Sequence, residues 1–183
     1  MLAAMGYQPF ANREYRNVFQ ARLEIPALLW RFPIPEGRSI LEIGCGIGVA
    51  LPRLATLCRP SRLVGVDVER ALVTRARERV TRAGVIAELY AADARALPFD
   101  DGVFDVVIDF GTCYHIDRPD AALREVARVL REGGEFIHET PLAQLIAHPV
   151  RSGKRALPWD ASAQLTGGRR ALLWASRRKV VHH

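Results

Sequence analysis

Three glycines, Gly44, Gly46 and Gly48, alternate with other residues in the stretch LEIGCGIG, directly after a short apolar run that carries one acid, Glu42. Glycine at this spacing lets the backbone turn tightly and lets a ligand approach the main chain more closely than a Cβ permits. Two further acids stand at the ends of later segments. Asp67 closes LVGVD, 23 residues past Gly44, and Asp93 follows YAA and precedes Ala94. A carboxylate has two oxygens and can read both hydroxyls of a cis-diol, the use that nucleotide-binding folds make of an acid at this distance from the glycines. Asp93 can accept from an exocyclic amine, while the Ala94 N–H serves a ring nitrogen. Either acid alone is as readily a helix cap or a turn residue. With the glycines, the two describe a pocket for a nucleoside.

These residues need a scaffold that gathers the ends of separate segments. Short β-rich runs alternate with helical runs along the chain, which predicts an α/β fold. Strands are predicted at Ser39–Ile43, Arg62–Val66, Val85–Ala91, Phe104–Phe110 and Glu135–Glu139. The unbroken apolar character of VGV and DVVID suits parallel strands buried on both faces. Helices are predicted over Val49–Leu57, Arg70–Ala83 and Pro119–Leu130; in the last, Leu123, Val126, Ala127 and Leu130 share one face. Gly84 and Gly133-Gly134 follow two of these helices as stop signals, and Asp117 with Pro119 marks a start. The result is a doubly wound, mostly parallel, Rossmann-like sheet, in which ligands bind at the carboxyl ends of the strands, where the glycine loop and both acids lie.

The flanking segments differ in character. Before the glycine loop, Tyr7, Phe10, Tyr15, Phe19, Trp30 and Phe32 are interrupted by Pro26, Pro33 and Pro35, predicting one or two short helices. They form either a hydrophobic cap over the pocket or a helix packed on the sheet edge. After the fifth strand, Leu142–Ala147 is a candidate short helix, and Ala161–Thr166 with Arg170–Ser176 a candidate hairpin across Gly167-Gly168. The expectation is one domain over 1–183: an N-terminal helical cap (1–38), a cofactor-binding core (39–140) and a C-terminal segment with a strand hairpin (141–183).

Composition narrows the classes. With 183 residues, 49% of them hydrophobic, the chain can build one sizeable core. It carries no run of ~18 apolar residues to span a membrane and no secretory-signal order, so a cytoplasmic location is expected. Cys45, Cys58 and Cys113 are odd in number and lack metal-ligand spacing, so reduced thiols and no metal are expected. The net charge of +6 raises the question of nucleic acid. Most arginines are interleaved with glutamates, however, and only the C-terminal GGRR and SRRKVVHH cluster, so a nucleic-acid partner is disfavoured. There is no Ser/His/Asp order and no P-loop.

From about Ile40 to Phe136 the chain resembles the class I S-adenosylmethionine-dependent methyltransferases, through ILEIGCGIG, LVGVD, AADARALPFDDGVFDVVIDF, CYHI and AALREVARVLREGGEFI in that order. The resemblance implies a seven-stranded sheet with a terminal antiparallel hairpin and S-adenosyl-L-methionine as cofactor, leaving S-adenosyl-L-homocysteine as product. By position, it implies that Glu42 is the acid preceding the glycine loop. Gly44, Gly46 and Gly48 would line the methionine end with Cys45 between them; Asp67 and Val68 would stand at the ribose, Asp93 with Ala94 at the adenine, and Phe110 with Gly111 at the lip of the fourth strand. Catalytic candidates follow that strand. His115, with Tyr114, could act as base or hydrogen-bond donor, or the imidazole could simply anchor its loop. Asp109 could orient an acceptor amine or cap the turn. The expected function is methyl transfer to a small-molecule acceptor through an O, N or C nucleophile. DFGTCY departs from the Asn/Asp-Pro-Pro-aromatic motif of amino-methylating DNA enzymes. The competing readings are a cofactor-binding or assembly module without turnover and, more remotely, a nicotinamide-dependent oxidoreductase, whose Gly-x-Gly-x-x-Gly fingerprint this loop does not have.

Overall fold

The computed structural model describes residues 17–140, 142–143, 165–166, 169 and 171–179. Seven strands form one sheet: β1 (Ser39–Ile43), β2 (Arg62–Asp67), β3 (Glu88–Ala91), β4 (Phe104–Asp109), β5 (Leu130–Glu139), β6 (Leu165–Thr166) and β7 (Trp174–Lys179). Their order is β3-β2-β1-β4-β5-β7-β6. The first five are parallel to one another, and β7 runs antiparallel to both β5 and β6. From β1 the chain winds outward through β2 and β3, then returns to place β4 on the other side of β1. That reversal opens a crevice at the carboxyl ends of β1 and β4.

Alternation along the strands divides the core between two faces. Leu41, Ile43, Val64, Val66 and Val107 pack with Leu123, Val126 and Ala127 of α4 (Pro119–Val129). Ile40, Leu63, Val106 and Ile108 pack with Ile25 and Leu28 of α1 (Ile25–Arg31), Leu51 and Leu54 of α2 (Leu51–Cys58), and Val80 of α3 (Arg70–Arg82). A π-helical turn, Gln20–Glu24, leads into α1. At the start of β1, both the Ser39 N–H and its hydroxyl donate to Asp105 Oδ2 (2.8 and 2.7 Å), fixing the edge from which β1 and β4 run together. From α4, Glu125 accepts the Leu97 N–H (2.7 Å), while Arg128 donates to the Leu97 and Phe99 carbonyls (3.0 and 2.6 Å). These bonds hold the loop that follows Asp93.

Several predicted boundaries shift for physical reasons. β3 begins at Glu88, not Val85, because Gly84 turns left-handed (φ +64°) and the Val85 N–H closes the helix end on Val80 O at 2.9 Å. β5 begins at Leu130: Phe104 pairs with Leu130 and Val106 with Glu135, so residues 131–134 bulge out of the ladder. The tight hairpin across Gly167-Gly168 is not what forms. β6 pairs Leu165 with Lys179, and the reversal lies at Ala171–Trp174, where the Ala171 N–H donates to Trp174 O at 2.8 Å. Most of the candidate helix Leu142–Ala147 lies outside the described residues, as do Tyr7, Phe10 and Tyr15 of the N-terminal segment. Among the described residues no helix is long and apolar enough to cross a membrane.

Candidate active site

The chain leaves β1 through Gly44, Gly46 and Gly48, all with positive φ (+67°, +54° and +71°). The three serve different purposes. A Cβ on Gly44 would lie 1.8 Å from Thr112 Oγ1, and that hydroxyl is held by donating to Ile43 O at 3.1 Å. On Gly48 it would press against Ala76 of α3 at 3.0 Å. On Gly46 it would meet nothing within 4 Å, so here the main chain faces open space. The Cys45 N–H donates to Val66 O (2.9 Å) and the Gly46 N–H to Asp67 Oδ2 (2.8 Å), while Asp67 Oδ1 accepts the Glu69 N–H (2.9 Å). Asp67 thus clamps the glycine loop to the end of β2.

A cavity of about 340 Å3 opens above these strand ends, within the size range of small-molecule sites. Gly44, Cys45 and Gly46 line it from β1, Asp67 and Val68 from β2, Asp93 and Ala94 from β3, and Phe110 and His115 from beyond β4. Glu42, Gly48, Asp109, Gly111 and Tyr114 do not line it. Of the two roles the sequence left open for Asp109, the hydrogen bonds match the turn cap. Asp109 is buried, its Oδ1 accepts the Thr112 N–H at 2.5 Å and its Oδ2 the Cys113 N–H at 3.2 Å, so it caps the 3-10 turn Thr112–Tyr114. Tyr114 does not line the cavity, and its hydroxyl donates to Glu139 O at 3.4 Å. Burial, with Asp109 and Glu139 nearby, pushes its phenol well above the ordinary range, which makes it a poor proton donor or acceptor. His115 is buried, lines the cavity, and holds its loop by donating its backbone N–H to Thr112 O at 2.9 Å.

The sequence did not reveal Asn17, Gln20, Thr112, Ile116 or Arg95 as cavity residues. Asn17 and Gln20 arrive because they continue, one to three turns earlier, the buried stripe of Ile25 and Leu28 that docks into the core. Residues 17–31 therefore pack on the sheet, and the carboxamides of Asn17 and Gln20 also line one side of the cavity. Arg95 arrives by bonding Asp93, as described below.

Electrostatics beneath the loop are unusual. Glu42 is 1% exposed, Oε2 has no hydrogen-bond partner, and its neighbour in register on β2 is Gly65, which has no side chain to offer. Burial, then the charges of Asp67 and Asp109, pushes its carboxyl up to about 8. The same burial, with Glu42 and Asp67 near, raises the Cys45 thiol well above its ordinary range, so Cys45 is no nucleophile.

The residues fit S-adenosylmethionine. Gly46 leaves the main chain open to a ligand, Asp67 stands where a ribose diol would donate, Ala94 and Asp93 share the far wall, and Val66, Leu72 and Phe110 supply apolar surface for a ring. The buried carboxyl of Glu42 beneath the glycine loop, with Oε2 unpartnered, would favour a cationic ligand.

A methyltransferase-domain family matches residues 41–138, more than half of the chain, and the protein belongs to that family, the class I S-adenosylmethionine-dependent methyltransferases. Among curated relatives, a fatty-acid O-methyltransferase of Mycolicibacterium smegmatis is 40% identical over 103 residues, covering 56% of this chain and 37% of its own. A phosphatidylethanolamine N-methyltransferase of Cereibacter sphaeroides is 35% identical over 104 residues, 56% of this chain and 50% of its own. This chain thus spans half or less of the length of these two relatives. Among solved structures, an S-adenosylmethionine-dependent methyltransferase from Aquifex aeolicus superposes with a TM-score of 0.68 at 18% identity over 88% of this chain and 91% of that one, which establishes the fold.

Proposed function

We propose that this protein transfers the methyl group of S-adenosylmethionine to a small-molecule acceptor. One observation carries the reading: a single cavity takes its walls from the glycine loop, from Asp67 and from the Asp93-Ala94 pair at successive strand ends. When bound, the cofactor supplies a methyl already activated on a sulfonium. The chain's own residues then have to hold an acceptor in line and exclude water, and orientation of this kind lowers barriers by up to roughly 7–11 kcal/mol. Phe110 and Ile116 serve exclusion, and Asn17, Gln20 and His115, which line the cavity, support a polar hold on an acceptor. His115 is the remaining candidate for proton removal, needed only if the nucleophile must lose a proton. The relatives are named for lipid and fatty-acid acceptors, which makes lipid-like carboxylates and amines the first to test.

The test has two arms. Isothermal titration with S-adenosylmethionine should show saturable one-site binding. Formation of S-adenosylhomocysteine is then followed across fatty acids, ethanolamine lipids and small amines. Binding without turnover on any acceptor would favour a non-catalytic module, and absence of binding would overturn the site itself.

A further inference from the structure

Asp93 is already engaged on both oxygens. Arg95 brings three donors to them: its backbone N–H, an Nε–H shared between the two oxygens, and Nη2. Oδ1 accepts its backbone N–H and Nε (both 2.9 Å); Oδ2 accepts Nε (3.0 Å) and Nη2 (2.6 Å). The guanidinium's Nη1 donates to Asp117, on the loop that also carries His115 and Ile116 of the cavity wall. Arg95 itself lines the cavity, with a side chain only 12% exposed against 51% for Asp117. An amine presented to Asp93 must therefore displace a charged, side-on partner. Asp117 offers that partner somewhere to stay.

We propose that Arg95 is an exchangeable clamp on Asp93 that sets how tightly the cofactor's adenine is held, ceding the carboxylate to the adenine amine while Asp117 retains the guanidinium. The proposal rests on the reading of the cavity as an S-adenosylmethionine site. Its logic is competition: apparent affinity is reduced by the fraction of molecules in which Asp93 is available. The clamp also discriminates, since a ring with a carbonyl at that position has no proton to give Asp93 and cannot take Arg95's place. Because Asp117 belongs to the His115 loop, the same exchange links occupancy of the adenine end to the acceptor side.

Affinity for S-adenosylhomocysteine, measured by titration calorimetry on the full chain, tests this in two variants. Arg95→Ala removes the competitor and should tighten binding, about three- to tenfold. Asp117→Asn removes the guanidinium's alternative partner, commits Arg95 to Asp93, and should weaken binding about threefold. Opposite signs from two halves of one ion-pair cluster are what a merely structural cluster would not produce. Weaker or unchanged binding by a folded Arg95→Ala protein overturns the clamp. If far-UV circular dichroism shows that this variant does not fold, Asp117→Asn decides alone, and unchanged or tighter binding overturns it. A wild-type chain that binds no S-adenosylhomocysteine overturns the cofactor reading and the clamp together; failure in the variants alone overturns only the clamp.

Discussion

Asp67 and Glu42 carry the same kind of group on adjacent strands, with different consequences. Asp67 faces the cavity and is fixed by two backbone N–H donors; Glu42 is sealed below it. Replacing Asp67 by Ala should weaken S-adenosylmethionine binding at least tenfold, about 1.4 kcal/mol, because the diol partner and the brace on Gly46 go together. Equal affinity in a titration would show that the ribose is read elsewhere. Glu42 carries a pH signature. Its folded-state pKa is raised from 4.5 to about 8, so the folded chain keeps a proton that the unfolded chain has lost, and stability falls as pH climbs through that window. Glu42→Gln removes the effect. Relative to wild type, the variant should gain roughly 3 kcal/mol in unfolding free energy between pH 4 and pH 7, measured by urea denaturation; a pH-independent difference would rule this out. A cationic ligand favours ionised Glu42, so S-adenosylmethionine should release protons at pH 7, and more of them than the uncharged-sulfur product. Titrations in buffers of different ionisation heat count them.

At the scale of elements, the glycine loop shows how three identical residues divide their labour. Gly44→Ala places a methyl onto Thr112 and also strains a positive φ. It should cost about 2–4 kcal/mol of stability, summing a left-handed penalty with overpacking, and lower the melting temperature accordingly. Gly46→Ala meets no neighbour, so its stability loss should be confined to the backbone strain while affinity for the cofactor drops further than stability does. Comparing melting temperature with Kd in the two variants separates these roles, and parallel losses in both would contradict the division. The central elements were legible because β1, β2 and β4 are buried on both faces and read as mostly apolar runs, interrupted in β1 by Glu42. The edges were not. β3 is half-exposed and begins only after a helix end has spent Val85 on Val80. The β6–β7 reversal turns on Leu172 and Leu173, residues that carry no turn chemistry, while the glycines nearby suggested another place. Asn17 and Gln20 look like solvent-facing residues until Ile25 and Leu28, further along the same stripe of the helix, are seen in the core.

For the whole molecule, the net charge of +6 proved less informative than its pairing. Arg38 and Arg131 meet Asp105, Arg62 meets Glu88, Arg128 meets Glu125 and Asp101, and Arg169 meets Glu135. Lys179, in the basic C-terminal cluster, donates to Leu130 O at 2.6 Å. Much of the positive charge thus fastens helices, loops and strands to one another.

One topological fact governs time as well as shape. Ile40 on β1 pairs with Val106 on β4, and the cavity draws its walls from Asn17 through Ile116. Such distant pairing is slow to assemble, and the pocket is complete only when the winding is. A ligand that fits it therefore recognises the finished fold and little before it. At a concentration 100 times its Kd it adds about 2.7 kcal/mol, and because that contact is absent from the transition state, the gain should appear as unfolding slowed roughly a hundredfold with refolding nearly unchanged. Stopped-flow chevrons with and without S-adenosylhomocysteine would show it, and a faster refolding limb would place pocket formation early instead. Ligand residence and the lifetime of the native state are thus tied through one strand pair.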